Sequence, residues 1–108
     1  VCGSAPYMSP EQAKDSTDVS PACDLFSLGC VAYECLTGNR RYAQKNFTQT
    51  LKAILSDSSS AERELRKLSE PPLPALVSQM MQHSPSARPA SAREVFDKIA
   101  MLREEPIE

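Results

Sequence analysis

Tryptophan is absent from the 108 residues of this chain, histidine occurs once, and the four cysteines include no Cys-x-x-Cys pair. The cysteines are Cys2, Cys23, Cys30 and Cys35, all far along the chain from His83. Zinc sites and disulfide frameworks need ligands or cysteines at characteristic spacings. We therefore predict no metal site, and we expect ordinary, mostly buried thiols, which favours a reducing, cytoplasmic location.

The chain also lacks an excess of positive charge, because 12 Lys and Arg residues face 14 Asp and Glu residues and leave a formal net charge of -2. Such a charge gives no basic field for nucleic acid or for an anionic membrane. The longest mainly apolar stretch, residues 25–36, is interrupted by Ser27 and Glu34 and is too short to cross a bilayer. We predict neither a nucleic-acid partner nor a membrane partner, and we see no targeting segment.

No stretch alternates between apolar and polar residues at period two, so we expect essentially no sheet. Residues 21–37 predict a central helix: Ser20 can cap its start, Pro21 suits the first helical position, and Gly38 suits its end. Nearly every side of this helix is apolar, which predicts burial all round rather than a single buried stripe.

Three amphipathic segments follow, at about residues 47–55, 73–81 and 91–102, and a short charged helix is expected at 62–68. Their apolar positions are Phe47, Leu51, Ile54 and Leu55, then Leu73, Leu76, Val77, Met80 and Met81, then Val95, Phe96, Ile99 and Leu102. Each segment needs a common core, and the central helix is the segment apolar enough to supply it. The fold class predicted from these patterns is mainly α.

Four sequence motifs resemble those of the protein kinase family. Residues 1–11, Val-Cys-Gly-Ser-Ala-Pro-Tyr-Met-Ser-Pro-Glu, resemble the end of an activation segment with its Ala-Pro-Glu motif, in which Ser9 replaces alanine. The hexapeptide Asp-Leu-Phe-Ser-Leu-Gly at 24–29 resembles Asp-x-Trp-Ser-x-Gly, with Phe26 in place of tryptophan. Residues 33–38, Tyr-Glu-Cys-Leu-Thr-Gly, and the pair Arg88-Pro89 match later kinase motifs. The stretches Met-Ser-Pro-Glu-Gln at 8–12 and Asp-Leu-Phe-Ser-Leu-Gly-Cys-Val at 24–31 resemble those of bacterial-type serine/threonine kinases.

The resemblance implies that residues 1–108 are a partial protein kinase domain, running from the end of the activation segment to the final helix of the C-terminal lobe. A kinase also needs a glycine-rich loop, a strand lysine, a catalytic-loop aspartate with its asparagine, and an Asp-Phe-Gly motif. None of these precedes the Ser-Pro-Glu at 9–11. We therefore expect the N-terminal lobe and catalytic loop to lie outside this span, which then contains no catalytic residue and binds neither ATP nor Mg²⁺.

On this interpretation the fragment alone is inactive, whereas its intact parent is a serine/threonine-protein kinase that uses ATP and Mg²⁺. The expected partners are a protein substrate and the missing remainder of the kinase domain. A stand-alone fragment would expose the surfaces that normally face this remainder, so we expect marginal stability or self-association. The alternative is that the parent is a pseudokinase or a truncated scaffold that acts as a protein-binding module.

By resemblance, Ser4, Ala5, Pro6 and Tyr7 form the substrate-binding loop, which receives the residue that follows the phospho-acceptor. The Ser4 hydroxyl occupies the position that marks serine and threonine rather than tyrosine acceptors. An ordinary turn serine is the alternative interpretation of the same residue.

Three charged residues are implied to support the active site. Glu11 is expected to pair with Arg88 and so to pin the substrate loop to the helical base, since a guanidinium can hold a carboxylate through two parallel hydrogen bonds. Asp24 is expected to accept hydrogen bonds from the catalytic loop and so to lose its main partners in this fragment. After the central helix, Arg40 and Arg41 are either solvated cations or groups that favour acidic substrates.

Overall fold

We describe the chain from a computed structural model, which covers residues 5–15, 17, 20–42, 44–56, 61–68 and 72–103. These residues form six α-helices and two 3₁₀-helices, and no strand occurs among them. The α-helices are α1 (Pro10–Lys14), α2 (Pro21–Thr37), α3 (Phe47–Ser56), α4 (Glu62–Arg66), α5 (Leu73–Met80) and α6 (Ala92–Arg103). The 3₁₀-helices span Ala5–Tyr7 and Pro85–Ala87. The predicted class, mainly α around a central helix, is confirmed.

Helix α2 begins and ends at the residues that the sequence predicted. The Ser20 side chain accepts a hydrogen bond from the backbone N–H of Cys23, and Pro21 occupies the first turn. At the other end Gly38 adopts the left-handed conformation, with φ of 79°, and its N–H donates to the carbonyl of Glu34. These caps fix the direction in which the chain enters and leaves the core.

The main core lies between α2 and the helices that follow it. Its buried side chains include Phe26 and Tyr33 of α2, Ile54 of α3, Leu65 of α4 and Val77 of α5. A smaller cluster of Leu25, Leu76, Met80 and Val95 attaches α6 to α2 and α5. Each helix thus contributes a few side chains to a layer on one side of α2.

Glycine at position 29 allows α2 to approach the end of α5 closely. A Cβ atom at this position would lie 2.7 Å from Cγ of Met81 and 3.0 Å from Cβ of Met80. Those separations are shorter than ordinary van der Waals contact, so a larger residue would push the two elements apart.

The expectation that α2 is buried all round is wrong. Leu28 and Val31 are nearly half exposed, whereas Leu25 and Phe26 in the same helix are buried. In α6, Val95 is buried as predicted, but Phe96 and Ile99 are exposed, and the side chain of Leu102 lies outside the described residues. In α3 the core receives Ile54, while Phe47 and Leu55 are exposed. The apolar pattern predicted these helices correctly, but it overestimated how many of their apolar side chains are buried among the described residues.

Helix α1 was not predicted, although the sequence contains a signal for it. Ser9 accepts a hydrogen bond from the backbone N–H of Gln12, and the Gln12 side chain accepts one from the backbone N–H of Ser9. This is a capping box followed by a proline at the first helical position. Ser9, which replaces the alanine of the kinase motif, therefore starts the helix that carries Glu11.

None of the helices in the described part of the chain combines the length and apolar character that a membrane crossing requires.

Candidate functional site

Arg88 lies at the centre of the candidate site, directly after the 3₁₀-helix Pro85–Ala87. Its side chain has 0% of its surface exposed, and that of its partner Glu11 has 15%. The two residues are far apart in sequence, and the fold brings them together beside the start of α2. The contact that the sequence predicted is therefore present.

The guanidinium holds the carboxylate through two parallel hydrogen bonds. Nη1 of Arg88 donates to Oε2 of Glu11 at 2.6 Å, and Nη2 donates to Oε1 at 2.8 Å. This bidentate geometry fixes both the distance and the relative orientation of the two planar groups. Helix α1, and with it the segment that precedes Glu11, is thereby attached to the loop before α6.

The remaining N–H groups of Arg88 bind backbone carbonyls. Nε donates to Gln82 at 2.8 Å, Nη1 to Ala22 at 2.8 Å and Nη2 to His83 at 3.1 Å. With the two bonds to Glu11, these contacts use the full set of donors that a guanidinium has. A buried charge in a protein is tolerated only when it is paired and hydrogen-bonded, and both conditions are met here.

Two further side chains, those of Phe26 and Cys23, contact the Glu11–Arg88 pair. The guanidinium carbon of Arg88 lies 5.0 Å from the centroid of the Phe26 ring, which is a cation–π distance. Phe26 is the residue that replaces the tryptophan of the kinase motif, so an aromatic face is retained. The thiol of Cys23 donates to Oε2 of Glu11 at 3.4 Å.

The carboxylate of Glu11 is stabilised in its charged form. Burial alone would raise the pKa of Glu11, but the hydrogen bonds and positive charge of Arg88 and the bond from Cys23 act in the opposite direction. The net result is a pKa below the ordinary value of 4.5. The pair is therefore ionised at neutral pH.

The predicted substrate loop is attached to α2 at two points. The Ser27 hydroxyl donates to the backbone carbonyl of Tyr7 at 2.5 Å, and the Tyr7 hydroxyl donates to Oε1 of Glu34. The hydrogen bond to Glu34 raises the pKa of Tyr7, so the phenol remains a protonated donor. Ser27 and Glu34 lie two turns apart, and their contacts hold Tyr7 along the side of the helix.

Ser4, the residue expected to mark the acceptor type, lies outside the described residues, as does the side chain of Ala5. Asp24, in the first turn of α2, is exposed, and no donor among the described residues reaches its carboxylate. Pro6 and Tyr7 are partly buried against the core. The structure thus brings Glu11 and Arg88 together beside the start of α2, holds Tyr7 further along this helix at Ser27 and Glu34, and leaves Asp24 on the surface.

The two arginines after α2 differ from each other, and only one is solvated. The side chain of Arg41 is 10% exposed and donates to Glu64, at 3.2 Å from its nearer oxygen, whereas that of Arg40 is 52% exposed. From the sequence, the same two alternatives were predicted for both arginines. Arg41 is a part of the core lining, and Arg40 stays at the surface near Glu34.

Sequence reasoning missed Ser27 and Glu34 as anchors of the loop. Both stand inside the motifs at 24–29 and 33–38, so their positions were known, but the contacts depend on how the loop crosses α2. It also missed His83, whose Nε2–H donates to the carbonyl of Ile54 at 2.5 Å and joins the end of α3 to the Arg88 loop.

Neither the described residues nor the sequence presents the groups with which a kinase holds ATP and Mg²⁺. In the described ranges no three His, Cys, Asp or Glu side chains are grouped so that they would hold a metal ion. The sequence has three glycines and none of the nucleotide-binding motifs named above. We therefore derive no step of phosphoryl transfer from these residues.

Comparison with known proteins decides the family. The protein kinase domain family matches residues 1–99 of the chain. The chain belongs to the protein kinase family. The kinase signature residues Glu11 and Arg88 both fall inside the matched span.

Three kinases illustrate the similarity. The serine/threonine-protein kinase RUNKEL of Arabidopsis thaliana is 41% identical over 76 residues, which cover 70% of this chain and 5% of RUNKEL. The tyrosine-protein kinase MasK of Myxococcus xanthus is 33% identical over 99 residues, 92% of this chain and 15% of MasK. The serine/threonine-protein kinase PknA of Mycobacterium tuberculosis is 33% identical over 104 residues, 95% of this chain and 23% of PknA.

The chain therefore spans between 5% and 23% of the length of these kinases. Both plant and bacterial kinases resemble it, and the names of the three relatives include both acceptor classes.

Proposed function

We propose that residues 1–108 are the rear part of the C-terminal lobe of a serine/threonine-protein kinase, contributing its substrate-binding loop and helical base. The intact protein then transfers the terminal phosphoryl group of ATP to serine or threonine hydroxyls of a protein substrate. ATP and Mg²⁺, when bound by the remainder of the kinase domain, supply the phosphoryl group and its charge neutralisation.

The Glu11–Arg88 pair is the single observation that supports this proposal most. Kinase catalysis depends mainly on positioning and on electrostatic stabilisation, so the loop that receives the substrate must be held in place. A bidentate, largely buried contact between α1 and the loop before α6 is suited to that task, because it has one geometry rather than many. Its two ends match the kinase motifs at which this contact is expected.

The residues of this chain act on the substrate only by binding and positioning. Ser4, Ala5, Pro6 and Tyr7 form the loop that receives the peptide, and Ser27 and Glu34 hold Tyr7 against α2. Glu11 and Arg88 hold the end of that loop to the helical base. None of them moves a proton or coordinates a metal in this proposal.

Asp24 and the half-exposed apolar face of α2 indicate where the remainder of the kinase domain docks. Asp24 has an exposed carboxylate in the first turn of the helix, and Leu28 and Val31 present apolar surface one and two turns further on. We propose that Asp24 accepts backbone N–H groups from the catalytic loop, while Leu28 and Val31 are covered by it. These contacts would explain why a central helix of this composition is left partly open.

The acceptor class rests on Ser4 and on relatives whose names differ. Ser4 stands where serine/threonine kinases keep a hydroxyl, and RUNKEL and PknA are named for that class, whereas MasK is named a tyrosine kinase. Incubation of the whole protein with Mg-ATP and a peptide library that offers serine, threonine and tyrosine separates the two classes. We expect label on serine and threonine; label confined to tyrosine would refute the assigned class.

The same assay tests the division of labour between this chain and the whole protein. We expect phosphoryl transfer by the whole protein and none by the 108-residue chain alone. Transfer by the isolated chain that depends on ATP and magnesium would contradict the proposal, because no residue assigned here performs chemistry.

A second candidate function is a protein-binding module within a pseudokinase or a truncated scaffold. The exposed apolar positions Leu28, Val31 and Phe96 would then serve a partner protein. The coding sequence before Val1 separates the candidates: a kinase requires the catalytic-loop aspartate and the Asp-Phe-Gly aspartate. Absence of either one favours the scaffold.

A further inference from the structure

The two adjacent arginines that follow α2 play different parts. The guanidinium of Arg41 lies 5.4 Å from the ring centroid of Tyr33 and 5.8 Å from that of Tyr42, and it pairs with Glu64. These contacts hold the Arg41 side chain, and with it this part of the loop, against the core. Arg40 projects outward from this anchored loop, with about half of its side chain in solvent.

Arg40 lies at the rim of the proposed substrate loop. Its guanidinium carbon is 6.0 Å from the centroid of the Tyr7 ring, and its Nε is 3.9 Å from Oε2 of Glu34. Tyr7 belongs to the segment that we assign to substrate binding. A peptide seated on Tyr7 would therefore come close to a positive charge.

The nearby carboxylate, that of Glu34, already has a partner at each of its oxygens. Oε1 of Glu34 accepts the hydrogen bond of Tyr7, while Oε2 faces Arg40, and the side chain is 35% exposed. At 3.9 Å the contact between Arg40 and Glu34 is an ion pair without a hydrogen bond, so it does not use the N–H donors of the guanidinium. The group that an approaching peptide meets first is the cation, because it is the more exposed of the two.

From this arrangement we infer that Arg40 is a specificity-determining residue, which favours protein substrates with an acidic side chain beside the phospho-acceptor. The inference rests on the proposed function, since it assumes that the peptide binds at Tyr7. A carboxylate of the peptide would meet the planar donors of Arg40, a geometry that suits bidentate contact. A lysine or arginine at the same place would meet a like charge.

Paired peptide substrates test this inference in the whole protein. Each pair differs only in whether glutamate or lysine occupies one position beside the acceptor, and kcat/KM is measured for both. We expect the wild-type protein to prefer the glutamate peptide. Replacing Arg40 by glutamine (R40Q) should lower the glutamate-to-lysine ratio about two- to fivefold, the size of one exposed ion pair. The charge reversal R40E should lower it further, and added salt should weaken the wild-type preference.

The control is Arg66, an arginine of similar exposure that pairs with Glu62 on α4, away from Tyr7. Replacing it by glutamine (R66Q) should leave the ratio unchanged, and thermal unfolding of every variant shows that the fold is kept. An unchanged ratio in R40Q, with transfer retained, would overturn the role of Arg40 and leave the proposed function intact. A wild-type preference for lysine that grows in R40Q would overturn it too, since Glu34 would then be the recognising group. Absence of any transfer by the wild-type protein would refute the proposed function, and this inference with it.

Discussion

Replacing Glu11 by glutamine removes the negative charge of the buried pair with almost no change of shape. The amide keeps one carbonyl oxygen, which can still accept from Arg88, but its NH₂ group now faces a second donor. The guanidinium has no exposed surface, so water cannot take the place of the lost carboxylate oxygen. The perturbation therefore leaves a buried positive charge without a counter-charge.

The expected loss of unfolding free energy is large for a substitution that replaces a single oxygen by an NH₂ group. Removing one partner of a buried ion pair typically costs about 3–5 kcal/mol, because the other charge stays desolvated. The three carbonyl contacts of Arg88 remain and keep the cost towards the lower end. Even about 3 kcal/mol is a large share of the about 5–15 kcal/mol by which domains are stable. A domain at the lower end of that range would keep only about 2 kcal/mol, so its folded baseline in urea becomes short.

Urea unfolding followed by circular dichroism measures this cost, with an osmolyte added so that the variant keeps a folded baseline. The matched control is Asp97→Asn, which makes the same carboxylate-to-amide change in an exposed pair. Arg93 Nε lies 3.2 Å from Oδ1 of Asp97, and both side chains are mostly in solvent. Such pairs contribute about 0–1 kcal/mol.

A double-mutant cycle separates the pair from its surroundings. Replacing Arg88 by methionine as well as Glu11 by glutamine should cost clearly less than the sum of the two single changes. Each single change leaves the partner's charge unpaired, whereas the double change removes both charges. Equal, small costs for the changes at Glu11 and Asp97, or strict additivity in the cycle, would refute the reasoning that this contact pins the substrate loop.

Three further predictions follow from the geometry. The stability that Glu11 contributes is complete above its ordinary pKa of 4.5 and is lost as pH falls through its lower folded-state pKa. The difference in unfolding free energy between wild type and Glu11→Gln should therefore shrink below about pH 4.5. A difference that stays constant with pH would contradict this assignment. Gly29→Ala should destabilise the fold, because the added methyl would lie 2.7 Å from Cγ of Met81 and overpacking costs about 1–3 kcal/mol. This cost should exceed alanine's gain of about 1 kcal/mol in helix propensity. A net stabilisation in urea unfolding would show that α5 moves away freely. In the isolated chain, Leu28→Ala should lower the free energy of unfolding by less than about 1 kcal/mol, because Leu28 is half exposed. Leu25→Ala, at its buried neighbour on α2, should lower it by about 2–5 kcal/mol. Similar costs at both positions would indicate that a second copy of the chain covers Leu28.

The helices could be predicted from sequence because their signals are local. Ser20, Pro21 and Gly38 fix the ends of α2 through backbone hydrogen bonds within one turn of each residue. The same holds for α1, which was not predicted although its Ser9–Gln12 capping box is equally local: it joins residues within one turn and needs no long-range contact.

The candidate site was predictable only in part. Glu11 and Arg88 lie in kinase motifs, so the resemblance brought them together, and the structure adds the three carbonyls that complete the donors of Arg88. The separate roles of Arg40 and Arg41 had no signal in the sequence. Identical neighbours differ here because one reaches Glu64 across the fold and the other does not.

Four apolar residues at helical spacing were predicted to be buried and are substantially exposed: Leu28 and Val31 on α2, and Phe96 and Ile99 on α6. Apolar side chains on a soluble protein are rarely exposed in contiguous groups unless another surface covers them. The sequence pattern therefore describes a more extensive core than the described residues build. The proposal that a further part of a kinase domain packs against α2 accounts for both the pattern and the exposure, whereas a self-sufficient helical domain accounts for neither.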